Sequence, residues 1–312
     1  MKIIFMGTPD FAVPCLQEIA QDHEVVAVIT QPDKAQGRGR KIIATPVKTC
    51  ALELGLTINQ PQNINDINFV EYLKNLNADI MIVVAYGQIL KKRVLNITEY
   101  GVINVHASLL PKWRGGAPIH RSLLSGDSKT GISIMKVERK LDSGPVYSQA
   151  EVKITEDMNV GILHDILAQK GAKMLAEVLK SIQTLQPVTQ NHQESTYAKL
   201  IVKEDRIINF NDDVNTIFNQ VRGLNPWPIA YTYYKGKQVQ VWQCQKINSN
   251  KLNTQKNGQI VDIASNGPVV KCLNGAIVLT KLKPAGKKLM TGSEFCRGYR
   301  CVVADYFGES EE

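Results

Sequence analysis

The stretch "GVINVHASLLPKWRGGAP" (residues 101–118) begins as a strand and ends as a loop that no strand could continue. Val102, Ile103 and Val105 supply β-branched bulk, and Asn104 and His106 interrupt it with two polar groups. A strand repeats every two residues, so these two side chains share a face, with Cα atoms about 6.6 Å apart. Pro111, Gly115 and Gly116 then end the run, with Lys112 and Arg114 set among them.

Working outward, three more runs resemble its beginning: "KIIFMG" (2–7), "EVVAVIT" (24–30) and "ADIMIVVA" (78–85). Nearly unbroken Val- and Ile-rich runs mark strands covered on both faces, the habit of a parallel sheet. Helix-compatible spacing and capping residues fill 11–21, 46–55, 66–76 and 117–125 between them. Repeated β-α units with right-handed crossovers predict an α/β fold, an open doubly wound, mainly parallel, Rossmann-like sheet. Such sheets bind ligands beyond the carboxyl ends of their strands, where Asn104 and His106 fall.

From about residue 131 the pattern changes. "GISIMKVER" and "PVYSQAEVKIT" read as consecutive strands, and an amphipathic helix is predicted over 159–184. A polar, poorly periodic stretch follows, then a helix at 212–223 and several short strands with hairpin signals at Lys235-Gly236 and Asn274-Gly275. A small barrel of the OB type, with five or six strands, fits this grammar, and so does a sandwich. The expected division is a catalytic domain at 1–187, a linker at 188–206 and an OB-like domain at 207–312. The length of 312 residues agrees with two cores rather than one.

The chain carries a formal net charge of +8, which favours an acidic partner: nucleic acid, anionic lipid or a phosphorylated or polycarboxylate small molecule. Residues 207–312 hold a net +5 against +3 for residues 1–206, so the smaller part is the more basic per residue. The six cysteines are scattered without C-x-x-C or metal spacing, as in a cytoplasmic protein with reduced thiols and no metal site. The longest apolar run, "IMIVVAY" (80–86), is too short for a membrane span, and the opening "MKIIFMGTPDF" breaks before a leader could form. A soluble cytoplasmic protein is expected.

Gly7-Thr8-Pro9 stands where a dinucleotide-binding protein places G-x-G-x-x-G. It has one glycine, and Pro9 removes an amide that a pyrophosphate needs, so a nicotinamide cofactor is not expected. Asn-x-His taken alone is more often a structural polar pair, and Asp142 in "LDSGP" taken alone is a turn residue. Together they suit attack by an amine on a carbonyl carbon. The amide holds the oxyanion, the imidazole handles protons, and the carboxylate orients the imidazole.

"FMGTPDFAVP", "TQPDKAQGRGRK", "VVAYGQIL", "INVHASLLPKWRGGAPI", "LDSG", "LNPWPIAY" and "LKPAGKK" occur in that order from residue 5 to 288. This set resembles the bacterial methionyl-tRNA formyltransferases, within the wider family that uses 10-formyltetrahydrofolate. The resemblance implies formyl transfer from 10-formyltetrahydrofolate to the methionine amine on initiator methionyl-tRNA, for translation initiation. By the same resemblance Asn104, His106 and Asp142 are the catalytic trio. Ser108, Leu109, Leu110 and Pro111, with Tyr86, Gly87 and Gln88, are the folate-binding segments. Lys34, Arg38, Arg40 and Lys41 form a basic, glycine-interleaved loop for the tRNA acceptor arm, although by composition a solvated charged loop is equally compatible. Lys140 stands where the family has glycine, which sets a bulky cation near Asp142. Trp113, Arg114 and His120 read as structural, and Trp227 as a packing anchor. A monomer is the default. The competing readings are a sugar-nucleotide formyltransferase and an RNA-binding module that has lost its chemistry.

Overall fold

A computed structural model of the chain describes residues 1–36, 41–247 and 255–308. In chain order the first elements are β1 (Lys2–Gly7), α1 (Val13–Asp22), β2 (Glu24–Ile29), β3 (Lys34–Gln36), β4 (Lys41–Ile43), α2 (Pro46–Glu53) and β5 (Ile58–Asn59). They continue with α3 (Ile67–Asn75), β6 (Ile80–Val84), α4 (Lys92–Leu95), β7 (Val102–His106), β8 (Arg114–Gly115) and α5 (Pro118–Leu124). Then come β9 (Lys129–Lys136), β10 (Val146–Lys153), α6 (Val160–Ser181) and β11 (Tyr197–Ala198).

Seven of these strands form one sheet in the order β10-β9-β7-β6-β1-β2-β5. The pairs from β7 to β5 are parallel, and β9 and β10 extend the sheet antiparallel. From β1 the chain builds outward through β2 and β5, then returns to the other side of β1 with β6 and β7. This reversal is the switch point at which open α/β sheets open a crevice. Ile3, Ile4, Phe5 and Met6 are all fully buried in succession, because both faces of the sheet are covered. Burying each such side chain contributes about 1.5–3 kcal/mol.

Local signals set the helix starts. Thr45 accepts from the Lys48 N–H ahead of Pro46 at α2, and Asp66 accepts from the N–H groups of Asn68 and Phe69 at α3. The expected strands and helices of this half stand within a few residues of their predicted bounds. β3, β4, β5, α4 and β8 carry no signal in the sequence; none is longer than four residues.

The remaining elements are α7 (Val214–Gly223), β12 (Ala230–Tyr234), β13 (Lys237–Ile247), β14 (Ile260–Ala264), β15 (Gly267–Cys272), β16 (Gly275–Pro284), β17 (Met290–Thr291) and α8 (Gly292–Tyr299). They give an antiparallel sheet in the order β12-β13-β16-β15-β14, with β17 beside β16. The segment 304–308 reaches both edges of this sheet. The Phe307 N–H donates to the Gly258 carbonyl before β14, and the Gly308 N–H donates to the Tyr233 carbonyl on β12. That strap makes the sheet barrel-like, around a core of Tyr234, Val241, Ile277, Leu279, Phe295 and Phe307. The barrel expectation holds, with six strands.

The chain falls into two compact units that do not follow the linear division. One unit comprises Met1–Pro118, Lys129–Lys153 and His164–Ala198; the other comprises Ile119–Ser128, Ile154–Leu163 and Lys199–Glu312. The stretch 188–206, expected as a linker, is therefore split between the two. In the first unit β11 pairs in parallel with β8. In the second, Arg121 donates to both Asp205 carboxylate oxygens (2.9 and 2.7 Å) and to the carbonyls of Lys199 and Leu200. Polar residues without periodicity look like a tether in sequence, but here their backbone groups and the Asp205 carboxylate are bonding partners.

Candidate active site

Asn104 and His106 lie on the last three residues of β7, on one face, with Asn104 half-buried and His106 6% exposed. Their backbone neighbours are Val83 on β6 and Ser133 on β9, so the pair sits inside the sheet rather than at its edge. The His106 ring is held from both sides. Nε2 lies 2.9 Å from the Trp113 carbonyl oxygen, and Nδ1 lies 3.7 Å from Asp142 Oδ2. A carbonyl only accepts, so Nε2 carries a proton and donates it. The other ring nitrogen, Nδ1, faces the carboxylate. A separation of 3.7 Å is too long for a hydrogen bond but short for electrostatics. A proton arriving at Nδ1 is stabilised by Asp142.

Asp142 is itself fixed. Its Oδ2 accepts from the Gly115 N–H at 2.8 Å, and its backbone stands at φ 45°. Gly115 has φ 112°, and a Cβ there would stand 2.9 Å from the Ala198 carbonyl oxygen. Only glycine allows that approach, which keeps its N–H on the carboxylate. Lys140 is exposed and its backbone is not left-handed, so its conformation does not require the glycine. Ser143 instead donates its hydroxyl to the Lys140 carbonyl at 2.9 Å.

The loop after β7 is locked from within. Ser108 is fully buried and donates to the Lys112 carbonyl at 2.6 Å. Ser133 donates to the Ser108 carbonyl and accepts from the Leu110 N–H, and Gln149 donates to the Leu110 carbonyl and to Ser133. Leu109 and Pro111 are half-buried and Leu110 buried. Ser133 and Gln149 had no signal in the sequence, since each is a polar residue in an ordinary strand run.

Tyr86, Gly87 and Gln88 follow β6, the strand adjacent to β7. Thr8 donates to the Tyr86 carbonyl, and Gln88 accepts from the Ile64 N–H, which anchors the segment at both ends. Tyr86 is 1% exposed and its hydroxyl has no hydrogen-bond partner among the described residues. Gly87 has φ 93°, and a Cβ there would meet only Gln31, at 3.9 Å. The Tyr86 ring packs in the core cluster with Ile4, Met6, Leu73 and Val94, while Gly87 leaves its backbone open to the approach of a ligand.

Lys34 is exposed on β3, where it pairs with Ile43 of β4. Arg38 and Arg40 lie outside the described residues, as does the side chain of Lys41. His120 packs edge-on against Trp227 within the second unit. Among the described residues no group of three His, Cys, Asp or Glu is placed to hold a metal, and no helix is long and apolar enough to cross a membrane.

Two family models match the chain, formyl transferase over residues 1–179 and the formyl transferase C-terminal domain over residues 200–300. A methionyl-tRNA formyltransferase of Bacillus subtilis is 42% identical over 315 residues, covering 100% of this chain and 99% of the relative. One of Natranaerobius thermophilus is 40% identical over 304 residues, covering 96% and 97%. Among solved structures, a sugar 3N-formyltransferase crystallised with dTDP and 5-N-formyl-tetrahydrofolate aligns with a TM-score of 0.65 at 18% identity, over 92% of this chain and 99% of that one. At that identity the likeness speaks for the fold.

Proposed function

Since the chain belongs to the methionyl-tRNA formyltransferases, we propose that Asn104, His106 and Asp142 carry the transfer chemistry at the carboxyl end of β7. The protein transfers the formyl group of 10-formyltetrahydrofolate to the amino group of methionine on initiator methionyl-tRNA, the step that prepares it for translation initiation. The folate supplies an activated one-carbon unit at the formyl oxidation level.

In this reading the methionyl amine attacks the formyl carbon, a C–N bond forms, and the carbonyl oxygen takes up negative charge. The Asn104 amide donates to that oxygen. Loss of one such donor typically costs about 10²–10³-fold in rate. The amine must shed a proton and the departing N10 must gain one. His106 Nδ1 is the group that receives and returns it, with Asp142 stabilising the charged ring. The locked loop of Ser108, Leu109, Leu110 and Pro111 shapes one wall of the folate pocket, and Tyr86, Gly87 and Gln88 another. Ser108 acts there through its backbone, because its hydroxyl is engaged by Lys112. Lys34, Arg38, Arg40 and Lys41 meet the phosphates of the acceptor arm, and the basic domain at 207–312 grips the tRNA body. The protein works as a cytoplasmic monomer.

The observation that carries the reading is the His106 ring held between the Trp113 carbonyl and Asp142, two residues along the same strand from Asn104. Single-turnover formylation of methionyl initiator tRNA, with wild type and His106→Ala side by side, tests it. Transfer by the wild type and its collapse in a variant that still binds folate are expected. A variant that transfers at the wild-type rate would overturn the assignment.

A further inference from the structure

Arg114 is completely buried, yet its guanidinium meets only neutral groups among the hydrogen bonds of the described residues. Nε and Nη2 donate to Gln190 Oε1 at 3.1 and 2.6 Å, and Nη2 also donates to His192 Nδ1 at 2.9 Å. Gln190, itself 6% exposed, uses the other end of its amide on the turn that carries Asp142. Its Nε2 donates to the Asp142 carbonyl at 3.0 Å and to the Gly144 carbonyl at 2.6 Å. An amide offers two donors and one oxygen with two lone pairs, and all four are engaged. Its orientation admits no alternative, because arginine only donates and the two carbonyls only accept.

The turn needs such a lock. Asp142 stands at φ 45°, a left-handed region that a non-glycine residue holds only where the surroundings fix it. Arg114 also lies between Trp113, whose carbonyl accepts from His106, and Gly115, whose N–H holds the Asp142 carboxylate. The same segment that supplies Gln190 straps this loop by its backbone. The Arg114 N–H donates to the Thr196 carbonyl, and the Gly116 N–H to the Ala198 carbonyl. One buried junction therefore ties together the two pieces of chain that set the separation of His106 and Asp142.

We infer that Gln190 is a positioning residue for the transfer reaction, clamped by Arg114 and acting through Asp142. The inference rests on the catalytic assignment of His106 and Asp142. A misplacement of about 1 Å in such a site costs roughly 100-fold in rate.

The test is a double-mutant cycle in the full-length protein between Gln190→Glu and Asp142→Ala. Glutamate keeps the acceptors that Arg114 needs but turns both donors into acceptors facing the Asp142 and Gly144 carbonyls. Gln190→Glu alone is expected to lower single-turnover formylation roughly 10- to 100-fold, with KM for tRNA and folate little changed. In the Asp142→Ala background it should cause no further loss, whereas a merely structural residue would multiply its effect there. An undiminished rate for Gln190→Glu, or equal fold-losses in both backgrounds, would overturn the inference alone. Full activity of Asp142→Ala would overturn the catalytic assignment and the inference with it. Should Gln190→Glu lose folate binding or its native circular dichroism, Arg114→Lys, which lacks the fork on Gln190, repeats the cycle with the same expectations.

Discussion

Replacing Asp142 by Asn isolates the charge on the carboxylate from its shape. Asparagine keeps an oxygen for the Gly115 N–H, which now lies 2.8 Å from Oδ2, and fits the same turn. What disappears is the negative charge 3.7 Å from His106 Nδ1. Two unit charges at that separation interact by about 4–5 kcal/mol at an effective dielectric near 20. His106 and Asp142 are 6% and 14% exposed at their side chains, so solvent screens only part of this. Taking about half as the loss on a fully charged transition-state ring gives about 2–3 kcal/mol, or roughly 30- to 200-fold in rate. Rapid-quench formylation under single-turnover conditions, with both substrates saturating, reads that step directly. Folate binding and the thermal midpoint should stay near the wild-type values. A loss of less than about threefold would refute the electrostatic argument. A loss of thousands with intact folding would show that Asp142 does more than stabilise charge.

Arg38→Ala should raise KM for tRNA severalfold while folate binding survives; unchanged kinetics on tRNA would remove the basic loop from acceptor recognition. Arg121, donating to both oxygens of Asp205, holds that carboxyl below the ordinary carboxylate range. A depressed folded value means stability that is present above the unfolded value of about 3.9 and is lost as pH falls through the folded one. The destabilisation caused by Asp205→Asn at pH 7 should therefore shrink toward pH 3, which thermal melts at the two pH values would check. Thr291 and Glu294 form a reciprocal capping box at the start of α8, so Thr291→Ala should cost about 1 kcal/mol in denaturant unfolding of the second unit, and no change would mean that water replaces the cap.

The strand runs were legible because a doubly covered strand must be apolar at every position, and Ile3 to Met6 obey that rule without help from distant chain. The same holds for Asn104 and His106: on a strand, a spacing of two fixes a common face. The segment 188–206 was not legible. Tyr197 and Ala198 pair with Arg114 and Gly115, more than eighty positions earlier, and no periodicity within either stretch announces a partner at that distance.

By itself the sequence determined the open α/β sheet, an all-β second half and the family, because periodicity and motif are properties of neighbouring residues; the strap of 304–308 decided for a barrel over a sandwich. It also named His106 and Asp142 as a pair, through resemblance. Tertiary structure alone decided how they are held. The 3.7 Å between ring and carboxylate depends on Trp113, Gly115 and Gln190, residues with no shared period. Buried donors and acceptors must find partners wherever the fold brings them, and for Arg114 that partner lies seventy-six residues away.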